Sequence, residues 1–434
     1  MKVAFITLGC RVNSYDSEAM AEKFLKSGWE VVNHDEKADA YVINTCTVTN
    51  MGDRKSRQMI SKSRKVNENA VIAVVGCYSQ VSPEKVSDIE GVDIVLGTKN
   101  KGDIVQYVNE FINERNQIVN VKDVFTDKKF EDLNIDEYQD KTRAFLKIQD
   151  GCNRFCSYCL IPYARGGVCS KDPEKVLNEI KKLAEHGFKE IILSGIHIAS
   201  YGDDLKGDWN LINIVEKIEE IDGIERIRIG SIEPRFFDDE TINKIKNMTK
   251  MCPHFHLSLQ SGCSETLKRM NRKYTADEYK DTVDKLRKNI KDVSITTDVI
   301  VGFPGETEEE FNKTYEFLKG IELSKMHIFK YSPREGTKAA DMKDQIDGNI
   351  KDKRSAELIE LDKINENKFM SKFLNREMDV LFEKKFNNKE DLYEGYTPNY
   401  IKVVVKSNKD ISRKILKVKL TEIKDEHLLG KLIL

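Results

Sequence analysis

Short apolar runs alternate with longer amphipathic stretches along the first 125 residues. Runs of strand length fall at Val3–Leu8, Tyr41–Ile43, Val71–Val75 and Asp93–Leu96. Helix-period segments such as Ser14–Lys26 and Asp53–Lys65 follow several of them. This rhythm predicts a parallel sheet with helices on its faces. Ligand sites in such sheets lie beyond the carboxyl ends of the strands. Residues 126–140 (TDKKFEDLNIDEYQD) are polar and acidic and read as a linker or short hairpin.

The alternation resumes from residue 141. Strands are predicted at Arg143–Ile148, Glu190–Leu193, Arg226–Ser231, His256–Leu259, Ser294–Ile300 and His327–Lys330. Helical stretches lie between them at Pro173–His186, Leu211–Ile221, Asp239–Asn247, Ala276–Asn289 and Glu308–Leu318. Six parallel strands with crossovers form an open, partial (β/α)6 barrel, and a complete eight-stranded barrel needs more chain. Residues 340–370 are charged with a helical period. From residue 371 the pattern changes to short β-rich runs at Met378–Phe382, Tyr400–Val405 and Lys414–Leu420. That length suits a small antiparallel barrel of OB-like type, not a βαβ unit. The expected division is therefore 1–125, the linker 126–140, 141–370 and 371–434.

Hydrophobic residues make up 39% of the 434 and charged residues 33%, enough for real cores under a solvated surface. No run of about 18 apolar residues occurs, so no membrane helix is expected. MKVAFITLGC reads as a first strand rather than a signal peptide, which makes a cytoplasmic protein the expectation. In a reducing compartment, nine cysteines point to metal or redox chemistry rather than disulfides. The net charge of −2 hides an asymmetry: residues 371–434 hold 14 Lys/Arg against 10 Asp/Glu. A mildly basic tail is compatible with nucleic-acid contact or with a plain solvated face.

Cys152, Cys156 and Cys159 form a C-x3-C-x2-C pattern just after the first strand of the second unit. Three thiolates hold three irons of a [4Fe–4S] cluster and leave the fourth open for chemistry. The alternative is a zinc knuckle, which wants four ligands. Only Cys169 is near, on an awkward loop. The spacing and the aromatic Tyr158 match radical S-adenosylmethionine (SAM) enzymes. Cys10, Cys46 and Cys77 each follow a predicted strand of the first sheet, so three distant cysteines converge on one edge. Three buried apolar cysteines are the alternative, but three at one topological place favour a shared metal site.

The motifs LGCRVNSYDSE, NTCTV, GCYSQ, CNRFCSYCLIPYARG, GFKEIILSGIHIASYG, HLSLQSGCSETLKRMNRKYT, TDVIVGFPGETEEEF and HIFKYSPREGTKAADM span almost the whole chain. Together they resemble the methylthiotransferase family. The resemblance implies an N-terminal methylthiotransferase domain, a central radical SAM barrel and a C-terminal TRAM barrel. It also implies that both cysteine triads bind [4Fe–4S] clusters.

One branch of the family thiomethylates isopentenyladenosine in tRNA, and a second modifies an aspartate of a ribosomal protein. A third converts N6-threonylcarbamoyladenosine at tRNA position 37 to its 2-methylthio form. GIHIASYG, with Ile196–His197 where the first two branches carry Gln-Asn or Gln-Asp, is similar to the third. SPREGTKAA and EGYTPNYIKV are similar to it as well. A C2–H bond lacks an acidic proton and a leaving group, so radical chemistry is implied. One SAM supplies the radical and a second the methyl group. The first triad presents the sulfur, and a reductant such as flavodoxin or ferredoxin supplies electrons. A non-catalytic iron–sulfur RNA-binding or redox-sensor protein is the reading of another class.

Ser194 and Gly195, Ser258 and Gln260, and Asp298 and Gly302 lie at strand ends where SAM is expected. Tyr158 is placed to cover the adenine or to pack in the core. Arg413, Lys414, Lys417 and Lys419 are expected to meet tRNA phosphates, with Tyr396 and Tyr400 offering stacking faces. His197 and His256 read as satisfied core or substrate-contact residues. Cys169, Cys252 and Cys263 read as non-ligands.

Overall fold

The computed structural model describes residues 1–47, 50–133, 135, 142–389 and 391–433, with the side chains of 50, 51, 53 and 388 left aside. The N-terminal unit runs β1 (Lys2–Thr7), α1 (Arg11–Lys26), β2 (Glu30–Val32), β3 (Ala40–Thr45), α2 (Asn50–Val66), β4 (Val71–Gly76), α3 (Cys77–Val81), α4 (Pro83–Ser87), β5 (Ile94–Leu96), α5 (Ile104–Glu114) and β6 (Ile118–Asn120). Its six strands are parallel, in the order β2-β1-β3-β4-β5-β6. Strands β3 and β4 are buried at every residue, as the apolar runs require of central strands covered on both faces. The two strands missed from sequence, β2 and β6, are three-residue edge strands with half-exposed side chains and no periodic signal.

The central unit begins with β7 (Arg143–Lys147), β8 (Gln149–Asp150), α6 (Ile161–Arg165) and β9 (Cys169–Ser170). Then follow α7 (Pro173–Glu185), β10 (Glu190–Ser194), α8 (Leu211–Glu219), β11 (Arg226–Ile229), α9 (Asp239–Asn247) and β12 (His254–His256). It ends with α10 (Ser264–Arg269), α11 (Ala276–Asn289), β13 (Ser294–Val301), α12 (Glu308–Ile321), β14 (Lys325–Lys330) and α13 (Gly348–Ser371). Two parallel three-stranded sheets, β11-β10-β7 and β12-β13-β14, are joined by the parallel bridges Ile227–Met251 and Ile232–Leu257. The expected open six-stranded barrel is what forms. Its outer face packs on the helices: Ile295, Val299 and Val301 of β13 share a core with Val283 and Leu286 of α11 and with Phe311 and Leu318 of α12. The alternate residues Thr296 and Asp298 therefore face inward. Strand β12 begins and ends two to three residues earlier than expected. Gln260, at φ 76°, turns the chain out of strand geometry while its amide still bonds Asp298 O at 2.9 Å.

Leu133 and Ile135, inside the stretch read as a linker, are buried in the core of the central unit. Tyr15 of α1 joins the same core, and its hydroxyl donates to Leu133 O at 2.6 Å. Residues 134 and 136–140 of that stretch lie outside the described residues.

The tail closes into a barrel, β15-β16-β17-β19-β18, built from β15 (Glu377–Lys385), β16 (Leu392–Tyr396), β17 (Lys402–Lys406), β18 (Ile415–Lys424) and β19 (His427–Leu432). Sequence missed β16 and β19. Gly395 breaks the alternation of β16, because a Cβ there would meet Leu381 O at 2.4 Å. Tyr400, expected to open a strand, sits in the preceding turn at φ 68°.

Candidate active site

The carboxyl ends of β1, β3 and β4 deliver Cys10, Cys46 and Cys77 to one edge of the first sheet. Gly9, at φ 104°, lets the chain bend tightly against the Cys46 loop: a Cβ there would stand 2.8 Å from Cys46 Sγ. Asn13 ties the same loops together by donating to Leu8 O and Thr45 O at 2.7 and 2.9 Å. Burial raises the Cys77 thiol pKa, an effect the nearby Arg165 guanidinium opposes. Arg165 belongs to the central unit, ending α6 a few residues beyond Cys159. It reaches back to Asn13 Oδ1 at 2.6 Å and pairs with Asp150 at 2.9 Å.

Arg165 is part of a buried charge network. Asp16 of α1 meets Lys101, Lys147 at 2.7 Å and Arg165 at 3.6 Å. Burial alone would raise the Asp16 pKa, but the three cations together hold it down, at about 2. Asp150 is lowered further: burial again opposes ionisation, and Arg165 and Lys147 outweigh it. This network joins the first sheet rigidly to the start of the partial barrel. Sequence reasoning missed it: Asp16 lies inside LGCRVNSYDSE but offered no partner there, and Lys101 and Lys147 carry no motif. Arg165 has only its nearness to the cysteine loop as a signal.

Cys152, Cys156 and Cys159 occupy the loop after β8, at the same carboxyl end of the barrel strands. Backbone N–H groups of Arg154 and Ile161 donate to Cys152 Sγ and Cys159 Sγ at 3.4 and 3.5 Å. Arg272 donates to Cys156 Sγ at 3.3 Å. Burial pushes the Cys152 and Cys159 thiols up, to about 11 and 12, and the neighbouring sulfurs add to the rise. Metal binding displaces the thiol protons, and the N–H donors and the Arg272 guanidinium beside the sulfurs favour the thiolate form that a metal takes. Glu233 pairs with Arg154 (2.9 Å) and Arg272 (3.5 Å) and lies 3.1 Å from His197 Nε2. Arg272 and Glu233 were not singled out from sequence; Arg272, inside KRMNRKYT, offered only its charge as a signal.

The residues expected around SAM gather at this end. Ser194 is the buried last residue of β10. At Gly195 a Cβ would meet Gln149 Oε1 at 2.8 Å. Ser258 shares a 2.7 Å hydrogen bond with Ser231. Gly302, at φ 69°, donates its amide to Glu306 at 2.6 Å. Tyr158 packs its ring edge-on to Phe303, so in this state it belongs to a small core. Asp298 points into the lumen and lies 3.3 Å from His256 Nε2. Asp298, His256 and His327 bring their ligand-type atoms within 4.8 Å of one another. His197 is buried and satisfied, with Nδ1 2.7 Å from the Ser200 hydroxyl. Cys169 donates to Lys128 O and Cys263 to Glu265, each at 3.0 Å; Cys252 is buried near Arg228.

The tail residues divide. Lys417 and Lys419 are exposed on one face of β18, and Arg413 and Lys414 are exposed just before it. Tyr396 and Tyr400 depart from expectation. They stack on each other at 4.9 Å, and Tyr400 stacks on His254 at 4.6 Å. Arg143 lies over both rings and Arg228 over Tyr400. Their faces are used against the central unit, because the turn between β16 and β17 carries them there.

A partial barrel of parallel strands with a C-x3-C-x2-C loop at its carboxyl end defines the class, a radical SAM enzyme. Residues 146–318 match the family model described as the radical SAM superfamily, and residues 2–97 match the one described as uncharacterized protein family UPF0004. The threonylcarbamoyladenosine tRNA methylthiotransferase MtaB of Bacillus subtilis is 44% identical over 421 residues, covering 96% of this chain and 93% of the relative. MtaB of Thermotoga maritima is 36% identical over 399 residues, covering 91% and 89%. A tRNA-2-methylthio-N(6)-dimethylallyladenosine synthase of Thermoanaerobacter pseudethanolicus is also 36% identical, covering 98% and 92%. Among solved structures, the radical SAM methyltransferase TsrM from Kitasatospora setae shares the fold, with a TM-score of 0.59 at 12% identity over 78% of this chain and 76% of that one. The chain belongs to the MtaB family of tRNA methylthiotransferases. A [4Fe–4S] cluster and SAM come with the radical SAM class. Among the described residues no helix is long and apolar enough to cross a membrane.

Proposed function

We propose that this chain converts N6-threonylcarbamoyladenosine at position 37 of tRNA to its 2-methylthio form. The observation that carries the reading is 44% identity over 96% of the chain to a threonylcarbamoyladenosine tRNA methylthiotransferase, with one cysteine triad at the edge of the first sheet, a second in the loop after β8, and Arg165 reaching from the helix after the second toward Cys77 of the first. Cys152, Cys156 and Cys159 hold the [4Fe–4S] cluster of the radical SAM class, and Cys10, Cys46 and Cys77 hold a second. When bound, the first supplies the electron that cleaves SAM to a radical, and the second the sulfur.

The chain's own residues do the rest. Arg272 and the amides of Arg154 and Ile161 stabilise negative charge on the sulfurs. The strand ends at Ser194, Gly195, Ser258, Gln260 and Gly302 cradle SAM, with Tyr158 beside it. Asp298 faces the lumen and is read as part of the SAM cradle, while His256 beside it lines a cleft shared with Tyr396 and Tyr400 of the tail barrel. A polar lumen suits the threonylcarbamoyl group, which carries a hydroxyl and a carboxylate. Arg413, Lys414, Lys417 and Lys419 meet tRNA phosphates from the tail barrel. A flavodoxin- or ferredoxin-like protein delivers the electrons. The domains divide at 1–125, 141–370 and 371–434, with 126–140 as the linker, of which Leu133 and Ile135 pack on the central core.

Nucleoside mass spectrometry of tRNA from cells with and without the gene tests the assignment. Loss of 2-methylthio-N6-threonylcarbamoyladenosine alone is the expected result. Persistence of that nucleoside in a strain with no second enzyme of this family refutes it.

A further inference from the structure

The tail barrel is docked at the wrong end of the central unit to hold the nucleotide that reacts. Arg143 and Arg226 are the first residues of β7 and β11, and they bind this barrel: Arg143 pairs with Glu383, and Arg226 donates to Tyr396 O and Asp379 O. Both cysteine triads lie toward the opposite, carboxyl ends, about 15 Å away along strands rising roughly 3.3 Å per residue. A tRNA gripped by Lys417 and Lys419 alone would leave its anticodon loop unheld where the chemistry occurs.

The carboxyl end carries its own nucleic-acid features. Three aromatic rings are exposed there in one ladder: Phe125 (48%), Tyr163 (42%) and Phe155 (41%). Tyr163 stands edge-on to Phe125 at 6.4 Å and to Phe155 at 5.8 Å. Phe155 immediately precedes Cys156 and has φ 47°, an outlier for a bulky residue. Asn271 holds it there, donating to Phe155 O at 2.9 Å. Strained backbone that keeps a large apolar ring in water marks a functional contact.

Beside the ladder, Tyr163 lines a cleft of about 760 Å3 with Arg57, Tyr78, Lys85 and Arg334. Lys85 is paired with Glu335, but both ends are exposed, so a phosphate can exchange for the carboxylate. Arg57 belongs to α2, which holds six Arg/Lys against one Asp and begins just past Cys46. Arg54, Lys55, Arg57 and Lys65 are exposed on it.

We propose that α2 and the Phe125–Tyr163–Phe155 ladder form a second RNA-binding surface, which grips the single-stranded anticodon loop beside the reacting adenosine. Arg54 and Arg57, one turn apart, meet loop phosphates, and the rings stack the flanking bases. The charge pattern favours RNA over a protein partner: cations dominate the helix, and single-stranded nucleic acid is held by just such a pairing of a basic groove with aromatic faces. The proposal rests on the tRNA reading and locates a contact that the tail barrel does not supply.

The test uses the full chain, reconstituted with iron and sulfide, and an anticodon stem-loop RNA carrying N6-threonylcarbamoyladenosine. Fluorescence anisotropy gives Kd from about 50 to 200 mM salt. The double variant Arg54→Glu/Arg57→Glu is expected to raise the stem-loop Kd at least tenfold and to flatten the salt slope by about 1.5. Tyr163→Ala is expected to raise Kd by about tenfold, while Tyr163→Phe, which keeps the ring, is expected to bind like the parent chain. Lys417→Glu/Lys419→Glu is expected to weaken full-length tRNA but not the stem-loop. Iron content equal to the parent's confirms folding of each variant. A stem-loop Kd unchanged in the α2 and Tyr163→Ala variants overturns the proposal. Unchanged Kd with slower reduction by flavodoxin overturns it too and assigns the face to the electron donor. A parent chain that binds neither RNA refutes the tRNA reading itself, a distinct result.

Discussion

Arg272 donates to Cys156 Sγ and brings a positive charge to a sulfur that becomes more negative on reduction. Removing it should make reduction harder. Arg272→Met is expected to lower the potential of the cluster proposed at Cys152, Cys156 and Cys159 by about 60 mV, the equivalent of one charge-assisted hydrogen bond of about 1.5 kcal/mol. A redox titration followed by paramagnetic resonance measures this, and an unchanged or raised potential refutes the role. Asp16 permits a pH prediction. Its folded pKa of about 2 lies below the ordinary 3.8, so the carboxylate contributes stability that is fully present above about pH 4. That stability is lost as pH falls toward 2. Denaturant midpoints are expected to drop across this window in the parent chain and to drop less in Asp16→Asn. A parallel acid profile in the two proteins would show that the cross-domain network is not the titrating element. Neither Arg272 nor Asp16 was legible in sequence, because each acts through partners more than 80 residues away.

Strands and the loops after them were the most legible elements. β3, β4 and β13 are buried along most of their length, so burial wrote near-continuous apolar runs into the chain. The cysteines that follow β1, β3 and β4 were readable as neighbours on one edge because parallel strands deliver their ends there. What sequence could not carry was the short or interrupted element: the three-residue edges β2 and β6, and β16 broken by Gly395. The same limit applies to Gly9, whose need is visible only once the Cys46 side chain lies against it. Gly9→Ala adds a Cβ 2.7 Å from Cys46 Cβ at φ 104°, a conformation alanine rarely adopts. The loop must shift, and Cys46 with it. Iron is expected to fall from about eight to about four per chain after anaerobic reconstitution, with SAM cleavage retained. Iron that stays at the parent's level would mean that Cys46 is not held by this contact.

At the scale of the whole molecule, the tail barrel and the first sheet dock on opposite ends of the central strands, each through buried charge. Glu190 is the hub at the tail end, lying 2.8 Å from Arg228 and 3.7 Å from both Arg143 and Arg226. Burial opposes its ionisation, but the three guanidiniums hold its pKa below the usual carboxylate range. Arg228 goes on to donate to Thr397 O and Pro398 O at 2.9 and 2.8 Å. Tyr400 covers this layer, stacked between Tyr396 and His254 with two guanidiniums over its ring. Truncating it removes the ring contacts and admits water to paired charges, so Tyr400→Ala is expected to destabilise the docked barrel by about 3 kcal/mol. Because the barrel closes on its own strands, it should undock rather than unfold. Proteolysis between α13 and β15 is expected to accelerate, and affinity for full-length tRNA to fall. Iron content and stem-loop affinity should hold, since the cysteine loops lie at the other end. Lys417→Glu separates the two causes, weakening full-length tRNA without any gain in cleavage. If Tyr400→Ala leaves both cleavage and tRNA affinity unchanged, the barrel is held by its charge layer alone, and the stacked tyrosines are free to serve elsewhere.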